Sequence, residues 1–192
     1  MAITDPKDSL LKYLQRARDA LLWKLEGLSE YDARRPLVPT GTNLLGLVKH
    51  LAAGELVYFG ATFGRPSADE PPFDDDDPEA DLFATPEESR EQIIGLYRRA
   101  WAHSDATIEA LSLDSVGHVP HWPPPHDEVT LHMILVHMLA ETQRHAGHAD
   151  IVRELIDGDV GLNQHNTNLP DEPSWEEHWA RVEAAAKQAA DG

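Results

Sequence analysis

Four side chains within one segment carry most of the chemistry this chain can offer: His137, Glu141, His145 and His148. At about 100° per residue, His148, Glu141 and His145 fall about 20°, 40° and 80° from His137, so on a helix all four project from one stripe. Ile134 and Val152 share that stripe, which should therefore face a core. There, unpaired imidazoles and an ionised carboxylate cost several kcal/mol unless something compensates them. A divalent cation is the simplest compensation; a buried hydrogen-bond network or a histidine-lined subunit interface is the alternative. With no cysteine in the chain, disulfides, thiolate metal sites and a catalytic protein thiol are excluded, leaving histidine and carboxylate.

Helical rise limits which of the four can share an ion. His137 and His145 are about 12 Å apart along the axis and Glu141 and His148 about 10 Å, so neither pair can chelate. The feasible pairs are His137 with Glu141, Glu141 with His145, and His145 with His148. A third ligand has to come from another segment, and His50 is the best candidate. It shares a helical face with Gly46 and Gly54, which leave room beside the imidazole for an ion and a substrate. His132 projects away from the stripe, and His103, His165 and His178 have no partner spacing. The run Asp74 to Asp77 followed by Pro78 lacks the ligand alternation and glycine of a calcium loop and reads as a solvated loop.

These residues must be positioned by helices. Apolar spacings of three and four mark helices over 6–29, 42–63, 85–111 and 127–156, with a short helix over 174–190. No segment alternates as a convincing strand, so the fold class is all-α, a four-helix bundle over 1–160 with a C-terminal extension over 161–192 that packs on the bundle or on a partner. Connections at 64–85 and 112–127 are long enough for crossovers, and the proline- and histidine-rich second one, with His118, His121, Trp122 and His126, leads straight into the His137 helix. It either roofs the site or is a plain surface loop. The chain has 192 residues and a formal net charge of -18, which repels nucleic acid and anionic membranes. Its apolar runs fall short of a membrane span, and its first residues lack a secretory signal, so a cytoplasmic protein is expected.

Two blocks, residues 43–52 around His50 and 136–150 around Glu141 and His145, with Arg153-Glu154 and Ile156-Asp157-Gly158 following, resemble the DinB/YfiT-like metal-binding proteins, particularly an actinobacterial branch. The likeness extends loosely over about residues 8–160. It implies a DinB-type bundle that often forms homodimers and holds zinc or nickel with a histidine of the second helix and two ligands one turn apart on the last. Those positions fall on His50, Glu141 and His145. Glutamate at 141 replaces the histidine of many relatives, but the related mycothiol-dependent maleylpyruvate isomerase is similar in using a His, Glu, His set. His148 corresponds to a position beside the site, and Ala140 stands where close relatives often carry another acid.

Two imidazoles and one carboxylate leave an open position on a divalent ion, the ligand count of catalytic zinc. The resemblance implies that a low-molecular-weight thiol, mycothiol or bacillithiol, is activated there for transfer to an electrophile or for isomerisation. His148 and His137, a turn or less from the ligands, are read as structural hydrogen-bonding residues ahead of the alternative, a proton shuttle or support for the ligands. Two rivals stand beside this reading. One is a metal-binding stress or interaction protein without turnover, in which a fourth protein ligand closes the shell. The other is a metal-dependent hydrolase with Glu55 as base, a role set against that of a solvated helix residue.

Overall fold

The computed structural model describes residues 5–74, 76–170 and 174–190. The chain divides into two compact units that meet between Val160 and Gly161. The first opens with α1 (Pro6–Trp23), where the Asp5 carboxylate accepts a 2.7 Å hydrogen bond from the Lys7 N–H and Pro6 takes the first turn, where its missing donor costs nothing. A short helix, α2 (Glu30–Arg34), capped by Ser29, follows; five residues are too few for periodicity to announce it. Next comes α3 (Leu44–Glu55), which continues through a π turn, Leu56–Gly60, and a 3-10 turn, Ala61–Phe63, to stop at Gly64 with φ +64°.

The third long helix, α4 (Arg90–Ala110), begins at a capping box of Ser89 and Gln92, later than the Thr85-Pro86 start the sequence suggests. Glu88 explains the difference. Its carboxylate accepts from the Thr85 N–H and pairs with Lys49, so 85–88 form a turn tied to α3. Strands β1 (Val116–His118) and β2 (Glu128–Thr130) then pair antiparallel, Gly117 opposite Val129, correcting the strand-free expectation. Three residues each give no visible alternation. Finally α5 (Leu131–Asp157) starts at the Thr130 cap and ends at Gly158 with φ +83°.

Helix α1 lies along α5, and α3 packs on both α4 and α5. Two apolar clusters fill the interior, one with Leu21, Leu45, Leu51, Tyr97 and Val152, the other with Leu14, Phe59, Ile108, Leu135 and Met138. The stretch Leu44–Phe63 is long and apolar enough by composition to cross a membrane, contrary to the expectation that no stretch is, but it is mostly buried among the other helices, as the core helix of a soluble protein is. Taken as a whole the chain is mostly helical, with six α-helices and one small sheet among the described residues. The second unit holds α6 (Trp175–Ala190), whose first turn is capped by the Ser174 hydroxyl and whose last carries a Glu183–Lys187 pair at 3.0 Å.

Candidate functional site

The site forms where α3 and α5 face each other. The buried arc of α5 runs from Ile134 and Val152 at one edge through Met138, Leu131, Ala149 and Thr142 to Ala146 at the other, centred about 120° round the helix from His137. Ile134 and Val152 are buried, as expected, about 60° round from His137, and the histidine stripe lies on the flank of that core face and not at its centre. Ala149 and Thr142, both fully buried, stand near the centre, where a helix packs closely without showing a strong apolar signal. The His145 side chain, nearest the arc, is 16% exposed and Glu141 36%, while His148 is exposed and His137, farthest round, is half-buried under Tyr58 and Trp122.

His50 and His145 meet edge to face with ring centroids 5.0 Å apart, and Glu141 Oε2 lies 3.4 Å from His145 Nε2. Two donors each about 2.1 Å from one tetrahedral ion sit about 3.4 Å apart, so the Glu141–His145 spacing suits a shared cation. His145 Nδ1 is enclosed without a hydrogen-bond partner. Burial, reinforced by the neighbouring His50, pushes the His145 pKa down to about 4, so its imidazole is neutral at pH 7 with a lone pair free of proton competition. Among the described residues, however, no three His, Asp or Glu side chains already converge as a metal-holding set. The donor chemistry and the Glu141–His145 distance fit a divalent cation at His145 Nε2, the ring nitrogen opposite the enclosed Nδ1; the side chains come together in pairs. His148 packs edge-on to His145 with centroids 5.4 Å apart, beside the pair.

Behind His50 stands a residue that the sequence reading left in a solvated loop. Asp81 Oδ2 lies 2.6 Å from His50 Nδ1, and Asp81 is only 5% exposed. Its loop is strapped to α3: Lys49 Nζ donates to the carbonyls of Ala80 at 2.6 Å and Phe83 at 3.1 Å, and Asn43 Nδ2 donates to the Leu82 carbonyl at 3.2 Å. A Cβ on Gly46 would stand 1.9 Å from that same Leu82 oxygen. Gly46 thus makes room for the strap, not for an ion or substrate, and Gly54 faces Met138. The readable signal was the pairing of a glycine on an otherwise bulky helix with the apolar trio Leu82-Phe83-Ala84 after the acidic run.

On the other side of Glu141, Tyr58 from the π turn packs edge-on against His137 at 4.7 Å and Trp122 at 5.9 Å, with Trp122 5.3 Å from His137. His121 Nε2 lies 3.3 Å from the Tyr58 hydroxyl. The loop between β1 and β2 therefore covers the His137 end of the stripe. Burial lowers the His137 pKa and raises that of Tyr58, and Glu141 adds to the Tyr58 shift, which places the carboxylate within electrostatic reach of this cluster. Glu55 is neither a base nor a solvated residue. It is buried, and both its oxygens accept 2.7 Å hydrogen bonds from Arg18.

A family model described as MST: Mycothiol-S-transferase matches residues 9–158, a span that includes α1 from its second turn, the strap and the whole histidine stripe. The chain belongs to the mycothiol S-transferase family. Outside that match lies the unit from Gly161 onward. Among solved structures, a conserved protein from Enterococcus faecalis is similar in fold, with a TM-score of 0.61 and 19% identity over 82% of this chain and 100% of that one. Comparison with curated proteins returns no match. Membership in the mycothiol S-transferase family agrees with the DinB/YfiT-like resemblance of the 43–52 and 136–150 blocks.

Proposed function

We propose that this protein is a metal-dependent transferase, on a DinB-type four-helix bundle, that joins a low-molecular-weight thiol, mycothiol in the first place, to a small electrophile. His50, Glu141 and His145 would hold the divalent cation, zinc before nickel. The observation that carries the reading is the meeting of the His50 ring with the Glu141–His145 pair in a chain whose family is described by mycothiol transfer. A cation held there supplies Lewis acidity, which lowers the pKa of an incoming thiol enough for its sulfur to be a nucleophile at neutral pH.

The chain's own residues do the rest. Glu141 contributes the single negative charge of the ligand set and, with two neutral imidazoles, leaves the site one net positive charge with which to attract a thiolate. His137 and His148 flank the ligands. Tyr58 and Trp122 present aromatic surface next to Glu141, on which an apolar electrophile can lie while the new carbon–sulfur bond forms and its leaving group departs. The hydrolytic alternative loses its base, because Glu55 is committed to Arg18. A homodimer fits the exposed apolar residues Met133, Val136, Ile151 and Leu155 along α5.

The test is metal analysis of the purified protein and of its Glu141→Ala variant, followed by thiol-consumption assays with mycothiol against a panel of electrophiles. One bound divalent ion per chain, lost in the variant, together with thiol turnover supports the reading. Undiminished metal in the variant removes Glu141 from the site. Stoichiometric metal without turnover across the panel makes this a non-catalytic metal-binding protein.

A further inference from the structure

The strap that crosses α3 does more than cover it. An ionised carboxylate has no hydrogen to donate and can only accept, so the 2.6 Å contact between Asp81 Oδ2 and His50 Nδ1 assigns the hydrogen to Nδ1 and, in the neutral imidazole, leaves the lone pair on Nε2. Short charge-assisted bonds of this kind fix both the tautomer and the rotation of an imidazole, and carboxylates behind metal-binding histidines raise their basicity.

Nothing about Asp81's placement is casual. It is buried, whereas Asp74, Asp76, Asp77 and Glu79 just before it are exposed. The carbonyls on either side of it, those of Ala80 and Leu82, are held by Lys49 and Asn43. Lys49 is anchored in turn by Glu88 at 2.8 Å, and Gly46 allows the strap its close approach. Lys49 and His50 are adjacent in sequence, so one helical turn both grips the loop and receives its carboxylate.

We infer that Asp81 is a positioning residue for His50, holding it in the Nδ1–H tautomer with Nε2 presented as the metal-binding nitrogen, and that the Lys49-anchored strap thereby sets the affinity of the site for a divalent cation. This rests on the ligand assignment proposed above, but its first readout does not need the metal.

Long-range nitrogen–proton NMR of the metal-free protein reports the His50 tautomer. Wild type shows the hydrogen on Nδ1, and Asp81→Ala shifts the population toward the Nε2–H form common in unconstrained histidine. The second readout is zinc affinity by competition with a chromophoric chelator. Asp81→Ala binds zinc about 10- to 100-fold more weakly, the span over which orienting carboxylates act, and Asp81→Glu recovers part of the loss. Asp77→Ala, which removes an exposed acid from the same segment, leaves affinity within about twofold, separating the specific contact from net charge. Thermal unfolding of each variant in chelator verifies that it is folded. A wild-type His50 in the Nε2–H form overturns the inference whatever the metal does. Zinc bound by wild type and by Asp81→Ala with equal affinity overturns it while leaving the ligand assignment intact, whereas a wild type that binds no zinc overturns the ligand assignment and the affinity claim together.

Discussion

Arg18 and Glu55 face each other across the interior as a doubly hydrogen-bonded pair, Nε to Oε1 and Nη2 to Oε2 each at 2.7 Å, with both side chains fully enclosed. Burial alone disfavours a charged guanidinium, yet Glu55 and, at 2.9 Å, Asp105 hold Arg18 firmly protonated. The pair links α1 to the end of α3, just before the π turn that carries Tyr58. Removing one partner strands the other charge in the core, so Glu55→Ala is expected to lower unfolding free energy by about 3–5 kcal/mol. Replacing both, as Arg18→Met with Glu55→Leu, should restore most of that loss, because two apolar groups need no mutual compensation. Urea unfolding of the single and double variants checks this. A single variant as stable as wild type would show that the pair does not exist as described.

The two glycines of α3 make opposite predictions. A Cβ on Gly46 meets the backbone of Leu82, which cannot move without releasing the strap. Gly46→Ala should therefore cost about 1–3 kcal/mol, the range for overpacking, even though alanine is the better helix former. At Gly54 the nearest atom is the flexible Met138 methyl at 3.4 Å, an ordinary contact. There alanine should gain about 0.5–1 kcal/mol of helix propensity. Thermal unfolding of the two variants distinguishes them by sign, and equal effects would contradict the packing of Leu82 on α3.

Helices were legible in the sequence because their signals are local: Pro6, Asn43, Gly64 and Gly158 sit at or beside the ends that their chemistry dictates. The stripe of His137, Glu141, His145 and His148 was legible for the same reason, and its rotation was not. Periodicity gives the relative angles of residues on a helix, but which angle faces the core depends on what packs there, and α5 buries Ala146, Ala149 and Thr142 against its neighbours. Asp81 was hidden by its surroundings. An acidic run reads as solvated, and only contacts with Lys49 and Gly46, more than thirty residues away in sequence, single out the one acid that turns inward. The β1–β2 pair was too short to carry a pattern, and Glu55 looked like a surface acid until its partner, 37 residues earlier, came into view.

His145 predicts a pH dependence in the metal-free protein. An unfolded chain takes up a proton on this histidine as pH falls through about 6.5, whereas the folded imidazole resists until about pH 4. Between those values the unfolded state binds more protons, so stability declines steadily on acidification across that window, and above about pH 6.5 the residue contributes nothing. His137, also held below its ordinary value, acts in the same direction. The depressed carboxylates, Asp32, Asp69, Glu88, Asp114 and Asp157, stabilise the fold above their ordinary pKa values near 4 and lose that contribution below them, largely outside the window. Melting temperatures recorded in chelator from pH 7 to pH 4.5 should fall less steeply for His145→Gln than for wild type. Parallel curves would mean that His145 is not shielded from solvent.

Trp122 provides the test that separates substrate from ion. Its loop is closed by hydrogen bonds from the Val119 N–H to the Asp127 carbonyl at 2.9 Å and from its own N–H to the Val119 carbonyl at 3.2 Å, so the indole is presented by backbone geometry that truncation leaves intact. It touches Tyr58 and His137 but none of His50, Glu141 or His145 at ring-contact distance. An edge-to-face aromatic contact is worth about 0.5–1.5 kcal/mol, close to a tenfold change in affinity at its upper end. For an electrophile that lies against this wall, Trp122→Ala should raise KM severalfold, with bound zinc unchanged and kcat for the thiol half of the reaction little altered. Loss of zinc in the variant would instead assign the indole to holding α5 and the β1–β2 loop around Glu141, and the electrophile would have to approach from the exposed His148 side.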